Sequence, residues 1–255
     1  MMTRNILFFL FLSLILGPAS ALAQESAQSI IDKAMDRNSM GFQSGLATLD
    51  LQIQDAKGVK LDRSLEVRSR KIGERAHTLV KLTAPREVFG QSFLFVENEK
   101  EDDVWMYLPA FKVTRRVEGG QKNGSFLGSH FTYADFESRD IKDATHKRLE
   151  DEEIGKVPVF VVESVPKQKN SDYSKVVVYV RQSDYVTLRV RFFDRSNQPV
   201  KTLFIRKLDK TENGQTYAKE MTLQASAGGH TTITIQSLAE AEIPESLFSR
   251  EQLGK

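Results

Sequence analysis

From Leu46 to Glu240 apolar and polar residues alternate in a long succession of short segments, and turn-forming groups separate them. The first shows the pattern: Leu49, Leu51 and Ile53 alternate with Thr48, Asp50 and Gln52 until Lys57-Gly58 turns the chain. A period of two sends neighbouring side chains to opposite faces, so such a segment is a half-buried strand. The same alternation predicts strands near 60–70, 75–83, 90–98, 103–108 and 111–117, then near 146–153, 157–166, 175–181, 186–193, 199–209, 217–225 and 230–239. Asp194 to Asn197, Asn213-Gly214 and Gly228-Gly229 are hairpin turns by composition.

Strands joined by hairpins with almost no helix between them make one antiparallel sheet rather than parallel units linked by helices. A twisted sheet with so many strands either splits into a sandwich or rolls up, and rolling also hides its edges. No long crossover is available to move strands between two sheets, which favours a mainly β, incomplete antiparallel barrel over the sandwich. Ile30, Ile31, Ala34 and Met35 fall at helical spacing within 27–38 and predict one amphipathic N-terminal helix. That helix, with short helical lid elements near Phe131 to Phe136, would cover an open end.

Residues 1–23 read as a separate unit. Arg4 precedes the apolar run Ile6 to Leu16, and Ala21-Leu22-Ala23 ends it, the pattern of a secretory signal peptide cleaved after Ala23. The run spans about 16 Å as a helix, roughly half of a bilayer core. Residues 24–255 are then one exported domain, and the periplasm is the expected location. The chain has no cysteine, which excludes disulfides, thiol chemistry and a lipid-modified N-terminal cysteine. Lys and Arg number 36 against 34 Asp and Glu. So even a balance offers no footprint for nucleic acid.

Constellations for chemistry do not assemble. His77, His130, His146 and His230 each stand alone in their segments, so no metal site is expected. Gly124-Ser125-Phe126-Leu127-Gly128 has its serine in the wrong place for a nucleophile elbow and no α/β fold around it. Ser129, His130 and Asp135 are too close in sequence to form a relay. Asp102-Asp103 and Asp151 to Glu153 lie in turns or strand ends as solvated charge. Neither catalytic activity nor a cofactor is expected.

Apolar recognition remains. Leu49, Leu51, Phe93, Phe95, Trp105 and Tyr107 are candidates to line the concave side of a rolled sheet, where they form either a plain core or a ligand cavity. The aperiodic stretch Glu118 to Phe136 combines aromatics with Gly119, Gly120, Gly124 and Gly128. Those glycines suit a movable lid, or ordinary turns. Phe126, Phe131, Tyr133 and Phe136 would supply its contact area. Arg115 and Arg116 are adjacent on a strand and so point to opposite faces; at most one faces the cavity, to meet an anionic headgroup or a membrane partner, the alternative being that both are surface charges.

Trp105-x-Tyr107-Leu108-Pro109, Arg115-Arg116, Gly124-Ser125-Phe126-x-Gly128-Ser129-x-Phe131 and Tyr133-x-Asp135-Phe136 closely resemble the signature of the outer-membrane lipoprotein-sorting protein family. His130 departs from it, standing where an acidic residue is expected. The resemblance implies a LolA-like fold and a carrier that binds the acyl chains of a lipid or acylated lipoprotein without covalent chemistry. It also implies a possible RND-type inner-membrane exporter as partner, transient membrane contact and traffic towards the outer membrane. The alternative is an envelope sensor of mislocalised acylated molecules that acts through a protein partner.

Overall fold

The computed structural model describes residues 24–38, 43–99, 101–136, 143–168 and 171–255. The expected signal segment, 1–23, lies outside them. Among the described residues one α-helix, α1 (Ala27–Asn38), precedes the strands β1 (Ser44–Gln54), β2 (Lys60–Ile72), β3 (Arg75–Ala84), β4 (Ser92–Val96), β5 (Asp103–Leu108) and β6 (Val113–Val117). Further along the chain come β7 (Ala144–Arg148), β8 (Glu152–Ile154), β9 (Val157–Pro166), β10 (Tyr173–Arg181), β11 (Thr187–Asp194), β12 (Pro199–Lys210), β13 (Thr216–Ala225) and β14 (His230–Glu240). The segment expected as one strand at 146–153 is two. The chain turns away after Arg148, and β8 resumes pairing further along β9, with Glu152 opposite Val159.

All fourteen strands belong to one antiparallel sheet, ordered β6, β5, β4, β3, β2, β1, β14, β13, β12, β11, β10, β9, β7, with β8 also on β9. The sheet is an incomplete barrel. Its topology is not a meander from first strand to last: β1 pairs with β14, Leu49 facing Ile235 and Leu51 facing Ile233, so the two ends of the strand sequence meet in the middle of the sheet. The free edges are therefore β6 and β7, and of the segment that joins them in sequence the described residues 118–136 are irregular apart from short 3-10 turns.

Alternation builds a continuous inner face. Leu51, Leu65, Val80, Leu82, Phe93, Leu223 and Ile233 share one core with Phe126 and Phe131 of the irregular segment. Val162, Val176, Val178, Val180 and Val190 continue the apolar surface beneath α1, which buries Ala27, Ile30, Ile31 and Ala34 against them. The Ser26 hydroxyl accepts a hydrogen bond from the Ser29 amide at 3.2 Å, capping the first turn of this helix. On the outer side of β3 to β5, Ile243, Phe248 and Leu253 of the C-terminal tail pack over Leu79 and Leu94. Arg70 secures the tail by donating to the Ile243 carbonyl at 2.6 Å. No helix among the described residues is long and apolar enough to cross a membrane.

Candidate functional site

The site is the inner face together with the irregular segment that lies on it. Phe93 and Phe95 point inward from β4; opposite them on β5 stand Met106 and Val104. Phe126 packs edge-on to Phe93 with centroids 5.0 Å apart, and it also meets Tyr133 at 5.5 Å and Phe136 at 4.9 Å. Phe131 stacks on Phe136 at 5.7 Å, and Phe95 reaches Phe136 at 5.8 Å. Edge-to-face and offset contacts of this kind match the quadrupoles of the rings and add to the area they bury. Phe126 and Phe131 are buried, whereas Phe136 is 43% exposed and forms the outer limit of the cluster. The segment expected as a lid thus inserts its aromatic side chains between the walls of the barrel.

A polar latch fixes it there. Asp135, in the short 3-10 helix Tyr133–Phe136, receives Lys201 Nζ from β12 at 2.5 Å, and the Tyr173 hydroxyl donates to its other oxygen at 2.8 Å. The side chains of Lys201 and Asp135 are only 8% and 4% exposed. The Thr132 amide donates to the same carboxylate at 2.7 Å, so the ion pair is also tied to the backbone of the segment. Lys201 Nζ lies over the rings of Tyr173 and Phe192, at 5.2 and 5.3 Å. Burial, and secondarily the Asp135 charge, push the Tyr173 phenol well above its ordinary range, so it remains a donor.

His130 makes a second attachment. Its amide donates to the Thr231 hydroxyl at 3.0 Å, and its Nδ1 lies 2.8 Å from the same oxygen, which can return its proton to a neutral ring. Burial, then the neighbouring His230, lower the affinity of this imidazole for a proton; Asp55 opposes the shift and Lys201 adds to it. His130 fits because residue 229 is glycine: a Cβ there would lie 2.6 Å from the Gln54 carbonyl and 2.7 Å from His130 Nε2, on a backbone with φ of 82°. Ser129, His130 and Asp135 have separate partners and form no relay. Among the described residues, no group of three or more His, Cys, Asp or Glu is placed to hold a metal ion.

The candidate residues divide between two faces. Leu49, Leu51, Phe93 and Phe95 are on the inner face with Phe126, Phe131 and Tyr133. Trp105 and Tyr107 are not: Leu94 pairs with Trp105 and Ser92 with Tyr107, which turns both rings to the outer face. There they pack under the C-terminal tail, with the Arg250 guanidinium 4.8 Å from the Trp105 ring. Arg116 is also outward, opposite Trp105, and pairs with Asp103 and with Glu118 at 2.7 Å. Arg115 pairs with Met106 on the inner-face side of the edge strand and is exposed. Lys201 and Tyr173 were not anticipated. The signal was available for Lys201, which shares its face of β12 with Leu203 and Ile205 and is the one cation among them.

An open antiparallel barrel with one α-helix among the described residues is a LolA-like fold. Comparison agrees. A family model described only as "Uncharacterized protein" matches residues 74–255. An outer membrane lipoprotein-sorting protein domain from Vibrio parahaemolyticus has 29% identity and a TM-score of 0.82, over 90% of this chain and all of that one. A DUF1329 family protein from Desulfovibrio piger has 24% identity and a TM-score of 0.82, over 89% of this chain and 98% of its own. A LolA superfamily protein from Nitrosomonas europaea superposes with a TM-score of 0.73 at 19% identity, over 89% and 99%. No curated protein matches the chain. The chain belongs to the family that this model describes, and it shares the fold of these lipoprotein-sorting and LolA-like structures.

Proposed function

We propose that this protein is a periplasmic carrier of acylated cargo, a lipid or lipoprotein, and that the aromatic segment 126–136 holds the place an acyl chain takes when cargo is bound. The observation that carries this reading is the inner face itself: apolar residues run without a break from Met106 and Phe93 through Leu51 and Ile233 to Val178 and Val162. A filled barrel could reach the same end with strand side chains alone. Here part of the filling comes from a segment outside the sheet, attached by one ion pair and a few hydrogen bonds, which can leave without breaking a strand ladder.

Each methylene moved out of water contributes about 0.8 kcal/mol, so a sixteen-carbon chain gains a gross ~12 kcal/mol. Displacing the aromatic cluster offsets part of that gain, which suits a carrier that must also release. Arg115, exposed on the inner-face side of the edge strand, is the residue we assign to an anionic headgroup. Export through the segment 1–23, an RND-type exporter as donor and the outer membrane as destination complete the reading.

Native mass spectrometry of gently purified protein, with titration of an environment-sensitive fluorescent acyl probe, tests it. Bound lipid or lipopeptide and saturable probe binding are expected. Ligand-free spectra together with no probe binding would sink the proposal.

A further inference from the structure

Among the described residues two phenylalanines stand out from the other aromatics by their exposure: Phe89, 60% exposed, and Phe111, 72% exposed. Phe89 caps the 3-10 turn between β3 and β4, and Phe111 sits in the turn between β5 and β6. Ser92 pairs with both Lys81 and Tyr107, so these two turns lie at the same end of neighbouring hairpins. Two strand spacings separate them, roughly 10 Å. Single exposed apolar residues are ordinary on protein surfaces, but two large rings at the tips of adjacent hairpins are not explained by scatter. The same two turns carry Arg86 and Lys112, both exposed, against a single acid, Glu87, and the exposed Arg115 follows two residues into β6. None of the three cations is in an ion pair among the described residues, unlike Arg116, which is neutralised on the outer face.

We infer that this end of the barrel docks on an anionic phospholipid membrane, with Phe89 and Phe111 entering the headgroup boundary and Arg86, Lys112 and Arg115 meeting lipid phosphates. The charge of the tip favours a bilayer carrying negative lipid over a neutral one, and each basic side chain near such a surface contributes roughly fivefold in binding. Rings at loop tips can enter the interface without unfolding any strand. Phe89 and Phe111 lie outside the acyl site, so docking through them and carriage fail independently.

Co-sedimentation with vesicles tests the inference, using phosphatidylcholine alone and phosphatidylcholine mixed with phosphatidylglycerol. The protein should bind the mixed vesicles and be released by salt at about 0.5 M, where screening is nearly complete. F89S/F111S and R86Q/K112Q/R115Q alter exposed side chains only, and each should weaken binding by about tenfold or more. Acyl-probe binding by F89S/F111S should stay at the wild-type level, which separates docking from carriage. Wild-type protein that ignores the mixed vesicles would overturn the inference and leave the tip to a protein partner. Binding by either variant within about twofold of wild type would also overturn it.

Discussion

Lys201 on β12 holds Asp135 of the aromatic segment at 2.5 Å, with both side chains almost wholly buried and the Tyr173 hydroxyl completing the carboxylate's shell. The residues are 66 apart in sequence, and they join the segment to the half of the sheet remote from its preceding strand, β6. Removing one partner of a buried pair leaves the other uncompensated, which costs about 3–5 kcal/mol. Lys201→Met should therefore release the segment. Faster hydrogen exchange at the Thr132 amide, which bonds to Asp135, together with tighter acyl-probe binding, is the expected outcome. Adding Asp135→Leu should recover most of the lost stability, because two apolar groups no longer leave a charge stranded.

Tyr173→Phe removes one donor to the same carboxylate and keeps the ring. A hydrogen bond to a charged group is worth about 1.5–3 kcal/mol. Denaturant unfolding should show a loss in that range, smaller than that of Lys201→Met. Equal losses in the two variants would mean that Lys201 does not pair with Asp135 in solution.

Phe126 touches Phe93, Phe95, Tyr133 and Phe136, so Phe126→Ala opens a hole at the centre of the cluster. The expected cost is about 3–5 kcal/mol. Acyl-probe affinity should nevertheless rise, since less of the segment must be displaced. Trp105→Ala is the control for the opposite face: on the order of 2 kcal/mol of stability lost with the C-terminal tail loosened, and probe binding unchanged.

Acid should loosen the segment. Burial holds the protonation of His130 below the usual imidazole value of about 6.5, so the folded state favours the neutral ring more than the unfolded state does. The contribution is complete above the unfolded value and is lost as pH falls through it towards the folded value. His146, also lowered chiefly by burial, has the same sign. The melting temperature should fall between about pH 7.5 and pH 5, and the fall should shrink in His130→Gln. An identical pH dependence in wild type and variant would rule His130 out as the origin.

The strands were legible in the sequence because apolar runs and the turn residues that bound them are local: β9 (Val157–Pro166) and β13 (Thr216–Ala225) lie within a residue of the expected 157–166 and 217–225. Which face looks inward is a property of register, and here local reading fails. Trp105 and Tyr107 are larger than Val104 and Met106, and size suggested them for the interior; the pairing of Phe93 with Met106 decides otherwise. The pairing of β1 with β14 was equally hidden, since nothing in either strand names the other. Asp135 was visible as part of a motif. Its partner could only be found once β12 was placed across the barrel from it.

The ladder between β1 and β14 also bears on when this barrel can exist. Gly45 to Gln54 wait for His230 to Glu240, so the strands on either side of the seam cannot be joined until the last long strand is available. Contacts so distant along the chain are slow to form. A chain threaded through a membrane from its N-terminus would stay unclosed until β14 had crossed, which keeps it compatible with passage in an extended state.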